Sequence, residues 1–201
     1  MTDDTMGGAD RRSYFRVDDQ VRLALRKVPA GELDRLLQRL DLDLAGNFTV
    51  MSSLAAITAQ TTVVLRRIES RDPELASYLR AIDHKIEVIG RAFIAQEPEL
   101  VTQAAVPANL SAGGMCVGVD DPLAAADAVE IRMLLFPSFT GLMIYGTVVE
   151  CRPAEQPDGF GHRARIEFTH IRERDRELLI RHLLRRQGDQ LREDRGTGGG
   201  S

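Results

Sequence analysis

The chain has 201 residues, 43% hydrophobic and 28% charged, with a formal net charge of −4. That balance fits a soluble globular protein of one well-cored domain plus an accessory element, or of two small domains, and it lacks the basic excess of a DNA-binding protein. The longest apolar runs, such as Leu142 to Tyr145 and on to Val149, fall short of the ~20 residues that span a bilayer, and the acidic start Met1 to Thr5 has no apolar stretch behind it. A cytoplasmic protein without membrane insertion is therefore expected.

Residues 1–10 are polar and contain glycine, the composition of a disordered N-terminus. The segment Arg11-Arg12-Ser13-Tyr14-Phe15-Arg16 then sets three arginines around two aromatics. Such a cluster is either a solvated terminus or a set of side chains suited to gripping phosphate, stacking on a purine and pairing with the O6/N7 edge of guanine. Val21 to Leu25 alternates like a strand with one buried face. From Gly31 to Leu44 the period changes, and Leu33, Leu36, Leu37, Leu40 and Leu44 outline a short amphipathic helix.

Asn47 offers an N-cap for a long helix to about Ser70. In it Met51, Leu54, Leu65 and Ile68 lie at heptad spacing, with Thr58 and Thr61 at intermediate core positions. Asp72-Pro73 ends that helix and starts the next, which runs to about Gln96 with Leu75, Leu79, Ile82, Ile86, Ile89 and Phe93 in steps of four and three. Two helices of roughly 24 residues with so short a link pack as an antiparallel hairpin about 36 Å long. Val50, Ile57 and Val64 form a second apolar stripe that needs a partner surface. It packs either on the chain's own sheet or, as we prefer, on other copies in a bundle of four or more helices, giving a dimer or tetramer through residues 47–96.

Period two returns from Leu100. Candidate strands are Leu100 to Val106, Met115 to Val119, Ala128 to Phe136, Leu142 to Arg152 and Gly161 to Thr169, which with Val21 to Leu25 make six antiparallel strands, enough to close a small barrel. Between two of them, Asn109-Leu110-Ser111-Ala112-Gly113-Gly114-Met115 is either an ordinary hairpin turn or a turn that holds a ligand, its paired glycines allowing close backbone approach. Glu173 to Gln187 is a closing amphipathic helix, and residues 188–201 are expected to be a flexible tail. Cys116 and Cys151 fall on the strand-like runs and read as small buried hydrophobes rather than a disulfide or redox pair. The four histidines show no metal-ligand spacing, and no metal or cofactor is assigned.

Arg12-x-x-x-Arg16 ahead of the first strand, followed by Asn109-x-Ser111-x-x-Gly114, resembles the bipartite signature of the PilZ domain family. The resemblance covers roughly residues 10–26 and 99–187. It implies an α+β fold, a six-stranded antiparallel barrel with a C-terminal helix, assembled here from residues 11–26 and 99–187 and interrupted by a helical insertion at 31–97. A tetrameric subclass of the family is similar in carrying long heptad helices at this place. A second departure from the family is Arg165, near where a glycine of a later strand is expected.

The family is a bacterial receptor for cyclic di-GMP, so the resemblance implies a ligand site. Arg12 and Arg16 would take phosphate and guanine, with Arg11 auxiliary. Asn109 and Ser111 would bond the second guanine or its phosphate, and Gly113 and Gly114 would let the main chain lie against the ligand. Binding would order the arginine segment and relay to an unidentified protein partner. The rival reading is an oligomeric scaffold that binds no nucleotide, its arginines held by a protein carboxylate. No nucleophile elbow, phosphate-binding Gly-Lys-Ser/Thr loop or pair of catalytically spaced carboxylates points to an enzyme. The arginines between Arg172 and Arg186 read as a solvated face rather than a DNA-binding helix.

Overall fold

The computed structural model describes residues 15–42, 46–97, 100, 104–154 and 159–197. Ten elements follow in order: β1 (Val17–Lys27), α1 (Leu33–Asp41), α2 (Asn47–Glu69), α3 (Pro73–Ile94), β2 (Val106–Ser111), β3 (Gly114–Val119), β4 (Ala128–Leu135), β5 (Thr140–Pro153), β6 (His162–His170) and α4 (Glu173–Thr197). The six strands close an antiparallel barrel in the order β1-β2-β3-β6-β5-β4, so no sheet edge is left open. This is the expected PilZ-type architecture, with the helical insertion between β1 and β2 and a helix closing the chain.

Alternation within the strands builds the barrel core. Val17, Val21 and Leu23 of β1, Leu110 of β2, Ile131 and Met133 of β4 and Ile166 of β6 point inward, and Leu179 and Leu183 of α4 join the same cluster. A second cluster lies outside the barrel wall, where Leu40 of α1 and Phe48 and Met51 of α2 cover Leu134, Met143 and Tyr145. That is why β5 is buried on both faces from Thr140 to Gly146 rather than alternating.

α2 and α3 pack together from a link at 70–72, with Arg80 paired to Glu69 beside that link. Asp72 Oδ1 accepts from Leu75 N at 2.9 Å, and Pro73 occupies the first turn, as the sequence predicts. Near the barrel Gly90 allows close approach, since a Cβ there would lie 2.8 Å from Met51 Sδ. Val50, Ile57 and Val64 stay exposed, as do Leu75, Ile86 and Ile89 of the expected α3 seam. The stripe therefore does not pack on the chain's own sheet.

The structure shifts several boundaries. The strand expected at Leu100 to Val106 starts only at Val106 and continues through Ser111, because Val106, Ala108 and Leu110 supply the inward alternation while Leu100 is buried in the second cluster. Asn109 and Ser111 are thus strand residues, and the turn shrinks to Ala112-Gly113. β1 extends well beyond Val21 to Leu25 at both ends. The α2 cap is Gly46, at φ +89°, a conformation glycine adopts without strain, and Asn47 is the first helical residue. Thr58 and Thr61 are exposed rather than core, and hydroxyls on this face bond back to helix carbonyls, Thr61 to Ile57 O at 3.0 Å and Thr62 to Thr58 O at 2.7 Å. Leu44, expected in the first helix, lies outside the described residues.

α4 runs ten residues beyond Gln187, to Thr197, where a flexible tail is expected from 188. A mid-helix glycine such as Gly188 costs only about 1 kcal/mol. Gln190 Nε2 donates to Asp18 O at 2.8 Å and Arg192 pairs with Asp189, which holds this stretch in place. Cys116 and Cys151 are free thiols, each half-buried. Phe48–Glu69 is long and apolar enough by composition to cross a membrane, a feature masked in a run-by-run reading by its interspersed Ser and Thr.

Candidate functional site

Arg16 stands one residue ahead of β1, and the antiparallel pairing of β1 with β2 sets Asp18 opposite Asn109. Arg16 Nη1 donates to Asn109 Oδ1 at 2.9 Å, and Asn109 Nδ2 donates to Asp18 Oδ1 at 2.7 Å. Residues 93 positions apart thus meet on the outer barrel face. The carboxamide orientation is fixed by these two bonds, since only its oxygen can accept from the guanidinium and only its nitrogen can donate to the carboxylate. Arg11 and Arg12 lie outside the described residues.

The remaining expected residues do structural work in the hairpin. Ser111 is buried, and its hydroxyl donates to Gly114 O at 3.1 Å, closing the two-residue turn. Gly113 O accepts from Phe168 N at 2.9 Å, and Arg176 Nη1 donates to Ala112 O at 3.0 Å, so β6 and α4 pin the turn. Gly114 pairs with Glu167 of β6, and a Cβ at Gly114 would fall 2.5 Å from Ile166 O. Its missing side chain is required by the neighbouring strand, a sufficient reason for glycine without a ligand. Arg16 and Asn109 are the expected residues that the described structure joins into an accessible polar face.

Arg165 shares that face. Asn109 is opposite Cys116, Cys116 opposite Arg165, and Arg165 opposite Glu150, so one register row carries Asp18, Asn109, Cys116, Arg165 and Glu150 across five strands. The arginine that departs from the family pattern therefore adds a cation two strands from Asn109.

A cleft of about 310 Å³ opens beside Asn109, lined also by Asp18, Asp19, Arg163 and Arg186. Asp19 is on the inward phase of β1 with Val17 and Val21, and its carboxylate is buried. A charge there must be paired. Oδ2 lies 2.6 Å from His182 Nε2 and Oδ1 lies 2.8 Å from Arg186 Nε, both on α4. Burial pushes the Asp19 carboxyl up, but the His182 hydrogen bond and charge, joined by the Gln20 amide and Arg186, outweigh it and hold the group below the usual carboxylate value. The bipartite motif does not include this cluster, although the sequence carries a signal of it: Asp19 breaks the apolar phase of β1, and His182 breaks the apolar face of α4 between Leu179 and Leu183.

The model of the PilZ domain family matches residues 66–185. That span runs from the end of α2 into α4 and leaves β1 with Arg16 outside it. Among solved structures the chain is similar to a pathogenic protein from Xanthomonas campestris, reported as a new tetrameric PilZ domain self-assembled via an unusual helical bundle, with a TM-score of 0.52, 16% identity and coverage of 90% of this chain and 92% of that one. It is also similar to the Bacillus subtilis inhibitor of motility (MotI/DgrA), with a TM-score of 0.36, 21% identity and coverage of 42% of each chain. At such identity the first is a likeness of fold. No curated protein matches the chain.

Proposed function

The chain belongs to the PilZ domain family, and from that premise we propose that it is a cytoplasmic cyclic di-GMP receptor rather than an enzyme, relaying the level of the second messenger to a protein partner. The contact between Arg16 and Asn109 carries this reading: the two halves of the family signature, far apart in the chain, share one hydrogen bond at 2.9 Å on an open surface. Cyclic di-GMP has two phosphates and two guanines, so its receptor needs localised cations and groups that read base edges. Arg16 supplies the first, through a guanidinium that bonds phosphate or guanine O6/N7 in a two-pronged way. Asn109 and the outward row with Arg165 supply the second. Arg12, with Arg11 auxiliary, completes the grip on the ligand, and Ser111, Gly113 and Gly114 shape the hairpin beside it. Ordering of the arginine segment over the barrel is the relay step.

The assembly belongs to the same proposal. An exposed apolar stripe on α2 and a half-exposed seam on α3 favour self-association into a dimer or tetramer, and the Xanthomonas campestris relative is itself reported to assemble via a helical bundle. Calorimetry with cyclic di-GMP tests the receptor. Saturable binding is expected, weakened ten- to hundredfold by Arg16→Ala, the loss of about 1.5 to 3 kcal/mol for a hydrogen bond to a charged group. In the same samples, ligand should slow hydrogen exchange across residues 8–18. Absence of binding would leave the oligomeric scaffold reading, and binding with equal exchange would remove the relay step.

A further inference from the structure

The cleft beside Asn109 gathers polar side chains from four elements, with both signs of charge among them. Asp18 and Asp19 come from β1, Asn109 from β2, Arg163 from β6 and Arg186 from α4. A bare phosphate would meet two carboxylates there, which disfavours it. A guanine base presents both kinds of edge, N1–H and N2–H as donors and O6 and N7 as acceptors. Carboxylate and guanidinium groups in one cleft match those edges. Asp18 is exposed and holds Asn109 through Oδ1, and among the described residues its Oδ2 is left for a ligand donor.

We propose that this cleft is a guanine subsite in which Arg186 of the C-terminal helix is a ligand-binding residue shared with Asp19. The inference rests on the nucleotide-receptor reading above. Arg186 is suited to sharing for three reasons. Its side chain is 31% exposed while that of Asp19 is 4% exposed, so it is the partner that a ligand reaches. Its Nε lies 2.8 Å from Asp19 Oδ1, yet this N–H is not aligned for a hydrogen bond. Asp19 also keeps a second partner, the His182 ring nitrogen Nε2 at 2.6 Å from its Oδ2, so the buried carboxylate still has a hydrogen-bond partner when Arg186 turns to the base.

The consequence lies on α4. This helix is tied to β1 by His182, Arg186 and Gln190, and at its start Arg172 Nη2 donates to Ser52 Oγ of α2 at 2.9 Å. One helix thus touches both the ligand cleft and the root of the helical arms. A base that draws Arg186 from Asp19 loosens the end of α4 that lies on β1.

Calorimetry with cyclic di-GMP, cyclic di-AMP and the inosine analogue, which lacks the N2 amine, tests the subsite on the full chain, with hydrogen exchange of residues 182–192 as a second readout. Arg186→Gln is expected to weaken cyclic di-GMP ten- to hundredfold and to abolish a ligand-induced rise in exchange at 182–192. Arg186→Lys keeps a cation beside Asp19 but lacks the planar fork, so it should retain stability and still lose affinity. Asp18→Asn should narrow the preference for guanine over inosine, a change that a merely structural role for Asp18 does not produce. If native protein binds cyclic di-GMP, Arg16→Ala weakens it, and the Arg186 and Asp18 variants behave as native, the subsite is overturned and the receptor stands. If native protein does not bind, both fall.

Discussion

Glu130 is on the outer face of β4, where the helical insertion covers the barrel, and its buried carboxylate gathers Arg26 at 2.7 Å, Arg132 at 2.9 Å and the Tyr145 hydroxyl at 3.1 Å. Arg132 reaches on to Glu97 at 3.2 Å, so this group fastens the end of the insertion to the barrel. Burial pushes the Glu130 carboxyl up, but the hydrogen bond from Arg26, the charges of Arg132 and Arg26 and the Tyr145 hydroxyl outweigh it, leaving the group below its ordinary value. A carboxyl depressed in the folded state contributes stability that is fully present above the unfolded value of about 4.3 and is lost as pH falls through the lower folded value. Because Arg26 is half exposed and rehydrates when released, Glu130→Gln is expected to cost about 2 kcal/mol at pH 7, below the 3 to 5 of a fully buried pair. Urea unfolding of both proteins at several pH values checks this: the gap should shrink as pH drops below about 4.3, and a gap independent of pH would show that the ionised form contributes nothing. Neither this cluster nor that of Asp19 with His182 follows from motif spacing, because each joins residues whose proximity exists only once the barrel has closed.

At the scale of elements, what could be read from the chain depended on how local the determining forces are. α2 and α3 follow their periodicity to within a residue or two, because i, i+3 and i+4 contacts and the Asp72-Pro73 boundary are all local. Asp72→Ala removes the acceptor for Leu75 N and should lower stability by about 1 kcal/mol while leaving ligand affinity unchanged, as measured by urea titration and calorimetry on the same variant. A fall in affinity would show that the hairpin tip communicates with the barrel. β2 is the opposite case. Asn109 and Ser111 have turn-forming side chains, yet pairing with β1 on one side and β3 on the other makes them strand residues. The candidate site was legible as a pair of motifs, since Arg16 and Asn109 do meet, but the reason for Gly114 was not: it lies in the Ile166 carbonyl of a strand about fifty residues later. The full length of α4 was equally hidden, because it depends on Gln190 reaching a backbone carbonyl of β1.

For the molecule as a whole, the distribution of apolar surface sets the next question. The barrel interior is filled by its own side chains together with Leu179 and Leu183 of α4, and the root of α2 is covered by α1 and the outer face of β5, but Val50, Ile57 and Val64 of α2 and Ile86 and Ile89 of α3 remain between 39% and 57% exposed. Complete burial of one Val or Ile side chain is worth about 1.5 to 3 kcal/mol, so covering what is left of five such residues offers each protomer several kilocalories per mole towards association. α2 has few charges along this face to oppose contact; its only ionised residues, Arg66, Arg67 and Glu69, sit at its far end. Ile57→Asp combined with Val64→Asp sets two carboxylates into any helix–helix contact made by this stripe, without touching a residue of the barrel core. Light scattering should then report a fall from dimer or tetramer to monomer, while calorimetry should still show cyclic di-GMP binding at native affinity, because Arg16 and Asn109 meet at the pairing of β1 with β2, whereas the substituted residues are on the helical arm. A native protein already monomeric at tens of micromolar would refute the role given to the arms. A monomeric double variant that had lost ligand affinity would instead mean that the site needs the assembly to be complete.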